Sequence, residues 1–332
     1  MVMTADQPGD SQEVYQFSRA YLVFRDVNGG LAWASGFVLN VLIITGIRRL
    51  HGNSLRNFRG LLVTLSVLDI LYAFSSGITG MGFQYYNGGF FITVTGIVAL
   101  GPPELSLYGY NFYVGTFGAF FLLQPVLFFC RYIIICVPTK VPMMTKPSVI
   151  LGGFSCMFVL CAADVYLSSC AYTLTTNHPR FEVAETGEEL FEQARFLITR
   201  PSSYHKVKLA LMNTITLASL CFTVYCSVKI FAYLHKNESS FSESTRKGQR
   251  KLTVALILQP IFPVVTGILP LYLCMYIYMQ QIGHFYFLWY SILLHVWQPA
   301  VSAVITIVFI TPVRKAIRSF GCGAPKVFSS DF

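Results

Sequence analysis

The chain has 332 residues, of which 54% are hydrophobic, 15% aromatic and only 12% charged, with a formal net charge of +9. Soluble globular proteins carry roughly 25% charged residues, so this composition excludes an ordinary soluble domain. Length alone would allow two or three soluble domains, but long apolar runs overrule that reading.

Seven apolar stretches alternate with polar, charged ones. A hydrocarbon core of about 30 Å needs about 20 helical residues. Spans are predicted at 28–47, 58–81, 108–136, 148–172, 207–233, 252–279 and 284–311. The fold class is therefore an all-α membrane protein, a bundle of seven transmembrane helices with its amino terminus outside. Three regions follow: an extracellular segment 1–27, the bundle 28–311 and a cytoplasmic tail 312–332. The first 26 residues are polar and lack the basic, apolar, small-residue order of a cleaved signal peptide, so the first helix is expected to be its own targeting signal. Segment 87–101 is apolar but short and Gly-rich, and reads as part of the first outer loop. The loop at 173–206 is expected to be too short for a core of its own. Along it Glu185, Glu188, Glu189 and Glu192 recur at helical spacing. They read as a solvated surface helix or as an acidic lid.

Charge sets the orientation. Of the 24 Lys and Arg, 17 fall in the loops after the first, third and fifth helices, at the helix ends that adjoin those loops, and in the tail. That basic face is cytoplasmic by the positive-inside rule. The split accounts for the net charge without a nucleic-acid partner. The sequon Asn237-Glu238-Ser239 lies on the cytosolic side by this reading. Cysteines avoid the outer loops, so no disulfide framework is expected, and no CxxC pair offers metal-site spacing. Cys322 sits in a short basic segment after the last helix, where palmitoylation could tether the tail; an unmodified thiol is the other reading.

Polar residues within the spans are costly and normally face the bundle interior. Asn40, Asp69 and Gln298 lie roughly 10–18 Å from the inner face, on the first, second and seventh helices. They can share hydrogen bonds or a bound cation such as sodium, and so bias which of two helix packings is stable. The plainer alternative is local satisfaction by backbone. No other cofactor is indicated.

Asn40 in GFVLNVLI and Asp69 in LSVLDILYA resemble the paired Asn and Asp of rhodopsin-like G-protein-coupled receptors. The third helix, however, ends Cys130-Arg131-Tyr132 rather than acid-Arg-Tyr, and Gln298-Pro299 lacks the distal Tyr of that pattern. The chain is more similar to the nematode seven-transmembrane chemoreceptors of the Str superfamily. RNFRGLLVTLSVLDILYAF matches its polar-basic entry to helix two with a following aspartate. LFFCRYIIICVP matches its Phe-rich close of helix three. Gln259-Pro260-Ile261-Phe262-Pro263, then Pro270, match its sixth helix. Gln298-Pro299 and Thr311-Pro312-Val313-Arg314-Lys315 match its close of helix seven. Cys130 and Val313 stand where Tyr is common, and no acid follows Pro299.

That resemblance implies sensing of an odorant, pheromone or other small chemical cue, with a heterotrimeric G protein as partner. It also implies location in the plasma membrane of a sensory cilium. Pro125, Pro260, Pro263, Pro270 and Pro299 permit kinks. Paired kinks in the sixth helix suit an outward swing of its inner end, although static kinking would look the same. Arg246, Lys247, Arg250 and Lys251 form one basic helical stripe able to meet an acidic partner or lipid headgroups. Arg131, with Tyr132 beside it, is the charge nearest the cytoplasmic mouth. Ser239, Ser240, Ser242, Ser244 and Thr245 are phosphorylation candidates or a flexible linker.

A ligand pocket is expected in the outer half of the bundle, with Asn111, Asp164, Asn213, Tyr272, Tyr276, His284 and Tyr286 as candidate lining groups. For each, core packing or interfacial anchoring is the competing role. An intramembrane enzyme would need paired carboxylates, a nucleophile–base pair or clustered metal ligands. The chain has no HExxH, GxSG or GxGD, and its six His are scattered. A transporter would show inverted repeats and matched broken helices; seven spans do not divide that way.

Overall fold

A computed structural model describes residues 14–49, 56–86, 89–144, 146–175, 180–189, 194–199, 203–237 and 293–318, with short pieces between 261 and 276. Five described helices are long and apolar enough to cross a membrane. These are α1 (Arg19–Arg48), α2 (Arg56–Thr79), α3 (Pro103–Cys136), α4 (Pro147–Ala171) and α5 (Ser203–Lys236). All five fall on predicted spans.

The outer ends run further than apolarity alone foretells, because polar groups cap them. α1 starts at Arg19, inside the segment read as 1–27. Ser18 is its N-cap and accepts from the Tyr21 N–H at 3.3 Å. The Glu185 carboxylate accepts from the Arg19 N–H at 3.0 and 3.2 Å. A carboxylate there also meets the positive end of the helix dipole. α3 gains a turn on the prediction because Pro103 at its first position is pre-set for helix and needs no N–H partner.

Of the seventh span, predicted over 284–311, residues 284–292 lie outside the described residues, and its inner end falls within two residues of the prediction. Its described part runs from Leu293 to Phe309, with α6 (Gln298–Phe309) as the regular portion. The chain then bends by 93° into α7 (Thr311–Arg318). Ile310 is extended at the break, and Pro312 is tolerated in the first turn of α7. Val313 and Ala316 are buried while Lys315 and Arg318 are exposed. α7 rests on the inner end of α1, where Gly46 leaves room: a Cβ there would stand 3.2 Å from the Ile317 side chain. The expected tail thus opens with an ordered surface helix. In the sixth span, Val264–Ile268 is a π-helical segment; Gln259, Pro260, Pro263 and Pro270 lie outside the described residues.

The outer face carries β structure that the sequence reading did not foresee. Strands β2 (Met81–Tyr86), β3 (Gly89–Val94), β6 (Arg195–Thr199) and β4 (Tyr172–Thr175) form an antiparallel sheet in that spatial order. β1 (Val14–Phe17) pairs in parallel with β5 (Arg180–Val183). Aromatic and β-branched residues at Phe90–Val94 favour the pleat. The hairpin leaves α2 through Gly80, whose φ of 53° suits glycine, and a Cβ there would lie 2.8 Å from the Gly96 nitrogen. The described part of segment 87–101 is therefore the strand Gly89–Val94 followed by a 3-10 turn over Ile97–Leu100, still within the first outer loop. The 173–206 loop does contribute to a small core, Phe17, Phe181, Ala194 and Phe196, because β1 completes it. Its acidic run is not a helix: Glu185 and Glu188 flank the Gly187 turn, and Glu189 bridges to Glu182. Glu192 lies outside the described residues.

The main core joins α2, α3 and the sheet. Tyr72, Tyr113, Phe117, Phe120 and Phe121 stack between them. His295 packs edge-on against Tyr72, and its Nδ1 lies 3.2 Å from the Thr266 carbonyl. α4 packs on α3 and α5 along one side, with most of its surface turned outward.

Candidate functional site

Midway through the bundle, α1, α2 and α6 bring the predicted polar residues together. Asn40, Asp69 and Gln298 are each only 1% exposed. The Asn40 amide donates to the Gly36 carbonyl at 2.8 Å and to the Pro299 carbonyl at 3.2 Å. Pro299 frees no N–H of its own, and Gly36 lets α6 approach: a Cβ there would lie 3.2 Å from Pro299 Cβ. Asn40 thereby ties α1 to α6. The remaining atoms are unspent. Both Asp69 oxygens, Asn40 Oδ1 and both terminal atoms of Gln298 are buried without a hydrogen-bond partner. The Ser302 hydroxyl is a polar neighbour of Asp69. A cavity with about 10 Å³ of space for a water centre lies alongside, lined by Gln298, Ser302 and Gln124 among apolar groups. Buried polar atoms left unpaired are uncommon and costly. Of the three predicted residues only Gln298 lines this cavity, while Asp69 reaches its edge through Ser302. Gln124 and Ser302 were missed by sequence reading because each looks like an ordinary polar residue inside an apolar run.

At the inner end of α3, Arg131 is 6% exposed, and its guanidinium carbon sits 5.5 Å from the Phe128 ring centroid. It is held within the bundle rather than reaching for headgroups. Tyr132 packs beside the cluster of Phe128, Cys226, Ile230 and Leu234 that joins α3 to α5. Arg246, Lys247, Arg250, Lys251 and Cys322 lie outside the described residues.

The predicted pocket residues divide. Asn111 donates to the Ser169 hydroxyl at 2.8 Å, joining α3 to α4. Asp164 is buried against α3 at Gly118, where a Cβ would be 3.8 Å from its Oδ2, and neither carboxylate oxygen has a hydrogen-bond partner. Tyr272 donates to the Asn213 carbonyl at 3.4 Å, and Tyr276 is exposed. His284 and Tyr286 lie outside the described residues. The structure adds a buried cation that the sequence reading overlooked. Lys208 of α5 is 5% exposed. Its ammonium donates to Ser168 Oγ at 3.0 Å and to the Tyr110 hydroxyl at 3.3 Å. It also lies 5.0 Å from the Tyr172 ring centroid and 5.4 Å from that of Tyr110. Asp164, one turn below Ser168, is within its electrostatic reach.

A separate cavity of about 360 Å³ opens at the outer end between α1, α2 and the β2–β3 hairpin. Trp33, Ser76 and Gly77 form its floor, Thr93 and Thr95 part of its roof, and Leu293 one wall. None of the predicted pocket residues lines it. Its volume falls near the low end of the roughly 300–1,000 Å³ usual for small-molecule sites.

A family model described as "Serpentine type 7TM GPCR chemoreceptor Str" matches residues 23–318, from the outer part of α1 to the end of α7. No curated protein matches the chain.

Proposed function

We propose that this chain, which belongs to the serpentine seven-transmembrane chemoreceptor family Str, binds a small chemical cue in its outer half and signals to a heterotrimeric G protein. Membership makes it a multi-pass membrane protein and a receptor of the chemosensory type. The family match across the whole bundle carries the reading. Three features support it: an outer cavity of ligand size, a seam of unsatisfied polar groups at mid-depth, and a buried Arg131 at the inner end.

In this reading the ligand biases two helix packings, as any ligand must, through differential affinity. Asn40, Asp69, Gln298 and Pro299 sit where α1, α2 and α6 slide past one another. Gln259, Pro260 and Pro263 belong to the span proposed to swing. A sodium ion among the Asp69, Asn40 and Gln298 oxygens would favour one packing. At the inner face, Arg131, Tyr132 and the stripe Arg246, Lys247, Arg250 and Lys251 would meet the G protein, with Cys322 a lipidation candidate. The plasma membrane of a sensory cilium is the proposed location.

The test is ligand-evoked nucleotide exchange on a co-expressed G protein, screened over a panel of small organic cues. Neutralising Arg246, Lys247, Arg250 and Lys251 together should abolish exchange while surface expression persists. Cue-driven solute flux with no nucleotide exchange would instead make the protein a transporter.

A further inference from the structure

The outer cavity differs from its surroundings in what its walls lack. Its charged lining residues are Arg25 and Asp26, which pair with each other at 2.7 Å. Asn28 is also committed: it donates to the Leu293 carbonyl at 3.0 Å and accepts from the Trp297 indole at 2.9 Å. Deeper in, the walls are apolar side chains, glycines and a few hydroxyls. Tyr113 is engaged with the Tyr72 hydroxyl at 3.3 Å, and Thr95 donates to the Gly80 carbonyl at 2.7 Å. A carboxylate or ammonium entering this space would lose its water and find no free counter-charge.

The cavity also borders lipid. Trp33 lies midway along α1, at the depth of the hydrocarbon, and is 42% exposed. Its indole packs on α2 at Gly77, where a Cβ would come within 2.5 Å of Trp33 Cδ1. Its outward neighbours Leu31 and Phe37 are exposed apolar residues facing the bilayer. The paired Arg25 and Asp26 stand roughly two turns above, where headgroups begin. Gly30 borders the cavity with nothing within 4 Å of its missing Cβ.

Taking the receptor reading as premise, we infer that this cavity binds an uncharged, largely apolar small molecule that enters sideways from the outer leaflet past Trp33. Apolar solutes concentrate in the bilayer, so a side entrance meets them at higher concentration than an aqueous one. The tryptophan stands between lipid and cavity, held by contacts on Gly77 and by stacking on the exposed Phe37 ring, with no hydrogen bond among the described residues that a tilt would break.

The test is photolabelling of the full chain in lipid nanodiscs with an alkyl-diazirine alcohol and with the carboxylate of the same chain length. Labelled peptides are mapped by mass spectrometry. The alcohol should label Gly29–Trp33 and Ser76–Gly82 saturably, and excess cyclohexanol should compete it away. The carboxylate should label these peptides at least roughly tenfold less, from the cost of burying its charge. Gly30→Leu and Ser76→Leu, which put side-chain volume into the space, should each remove the saturable part. Background labelling of the lipid-facing surface of α4, around Phe158, should be unchanged. Trp33→Ala should shorten the time to half-labelling. Labelling that does not saturate in the wild type, or that persists in both leucine variants, overturns the site. Equal labelling by the carboxylate overturns the ligand class, and an unchanged time course in Trp33→Ala overturns the route. Labelling reads binding rather than signalling. A chain that labels as expected yet never drives nucleotide exchange would refute the coupling proposal and leave this inference standing.

Discussion

Lys208 is the sharpest place to test how the outer half is held together. Its ammonium makes two hydrogen bonds, to Ser168 and Tyr110, and lies over two tyrosine rings. Hydrogen bonds from a charged donor contribute roughly 1.5–3 kcal/mol each, and cation–π contacts roughly 0.5–2 kcal/mol each. Desolvation of the buried ammonium offsets much of that sum. Lys208→Met keeps the stem and deletes the charge. It leaves two hydroxyls short of a donor and Asp164 buried without its nearby cation. Removing one member of a buried charge arrangement costs roughly 3–5 kcal/mol, because the other member is stranded. Asp164→Asn in the same chain removes the stranded charge. The double variant should therefore be less destabilised than the two single changes added together, by roughly 1–3 kcal/mol. Thermal unfolding of the purified receptor in nanodiscs, followed for the four members of the cycle, measures this. Additive effects would refute the electrostatic link. A Lys208→Met chain as stable as wild type would refute the reasoning altogether, since the ammonium would then contribute nothing net.

Three further outcomes are expected. Exchanging sodium for choline should lower the unfolding temperature of the wild type and leave Asp69→Asn unmoved; an ion at a hundred times its dissociation constant contributes about 2.7 kcal/mol. Asp69→Asn should also shift basal or ligand-evoked nucleotide exchange at unchanged surface expression. Arg131→Ala should keep ligand affinity and lose at least roughly tenfold in exchange rate, and Arg131→Lys should not restore it, because a point charge cannot copy the planar guanidinium; full activity in Arg131→Lys would argue for a headgroup anchor instead. Asn237, at the inner end of α5, should carry no glycan when expressed through the secretory pathway, and a glycosidase-sensitive mass shift would invert the topology.

The spans were legible because hydrocarbon thickness imposes a length on any helix that crosses it. That constraint acts residue by residue along α1 to α5. It says nothing about where a helix stops outside the lipid. The start of α1 is set by Ser18 and by Glu185, which lies 166 positions from Arg19, so the local sequence shows only half of the cap. The outer sheets were missed for a related reason. β3 gains its second partner from β6, and β1 pairs with β5, each across long sequence separations. Phe17 and Phe181 look like isolated aromatics until that pairing brings them into one core. The acidic run near Glu185 shows the opposite error: helical spacing was present, but Gly187 at positive φ and the Glu182–Glu189 bridge make a turn of it.

The two candidate sites were legible to different degrees, and the difference is chemical. A carboxylate at mid-membrane is conspicuous in any sequence, because burying it has a cost that something must offset; Asp69, and with it the polar Asn40 and Gln298, could be found by that cost alone. Asp164 was conspicuous for the same reason. Lys208 was not, since it sits only five residues into α5, where a lysine normally reaches the headgroups. What buries it is the Tyr172 ring, supplied by the strand that follows α4. The outer cavity is harder still, because its space comes from side chains that are absent. Gly29 and Gly30 leave gaps along α1, Gly77 lets Trp33 lie close against α2, and Gly80 turns the chain so that the hairpin borders the space. A search for polar, ligand-holding residues passes over such a place, and two of the residues it does find are occupied in joining helices: Asn111 donates to Ser169, and Tyr272 donates to the backbone carbonyl of residue 213. A receptor for an apolar cue has reason to be built this way. Each polar group in the wall would have to be desolvated for a ligand unable to pair with it. Glycines contribute no such group, and their freed volume sets which apolar body fits. Selectivity in such a pocket rests on shape and on exclusion of charge. Variants that add volume at Gly30 or Ser76 should therefore perturb recognition more than variants that remove a hydrogen bond at Asn111 or Tyr272.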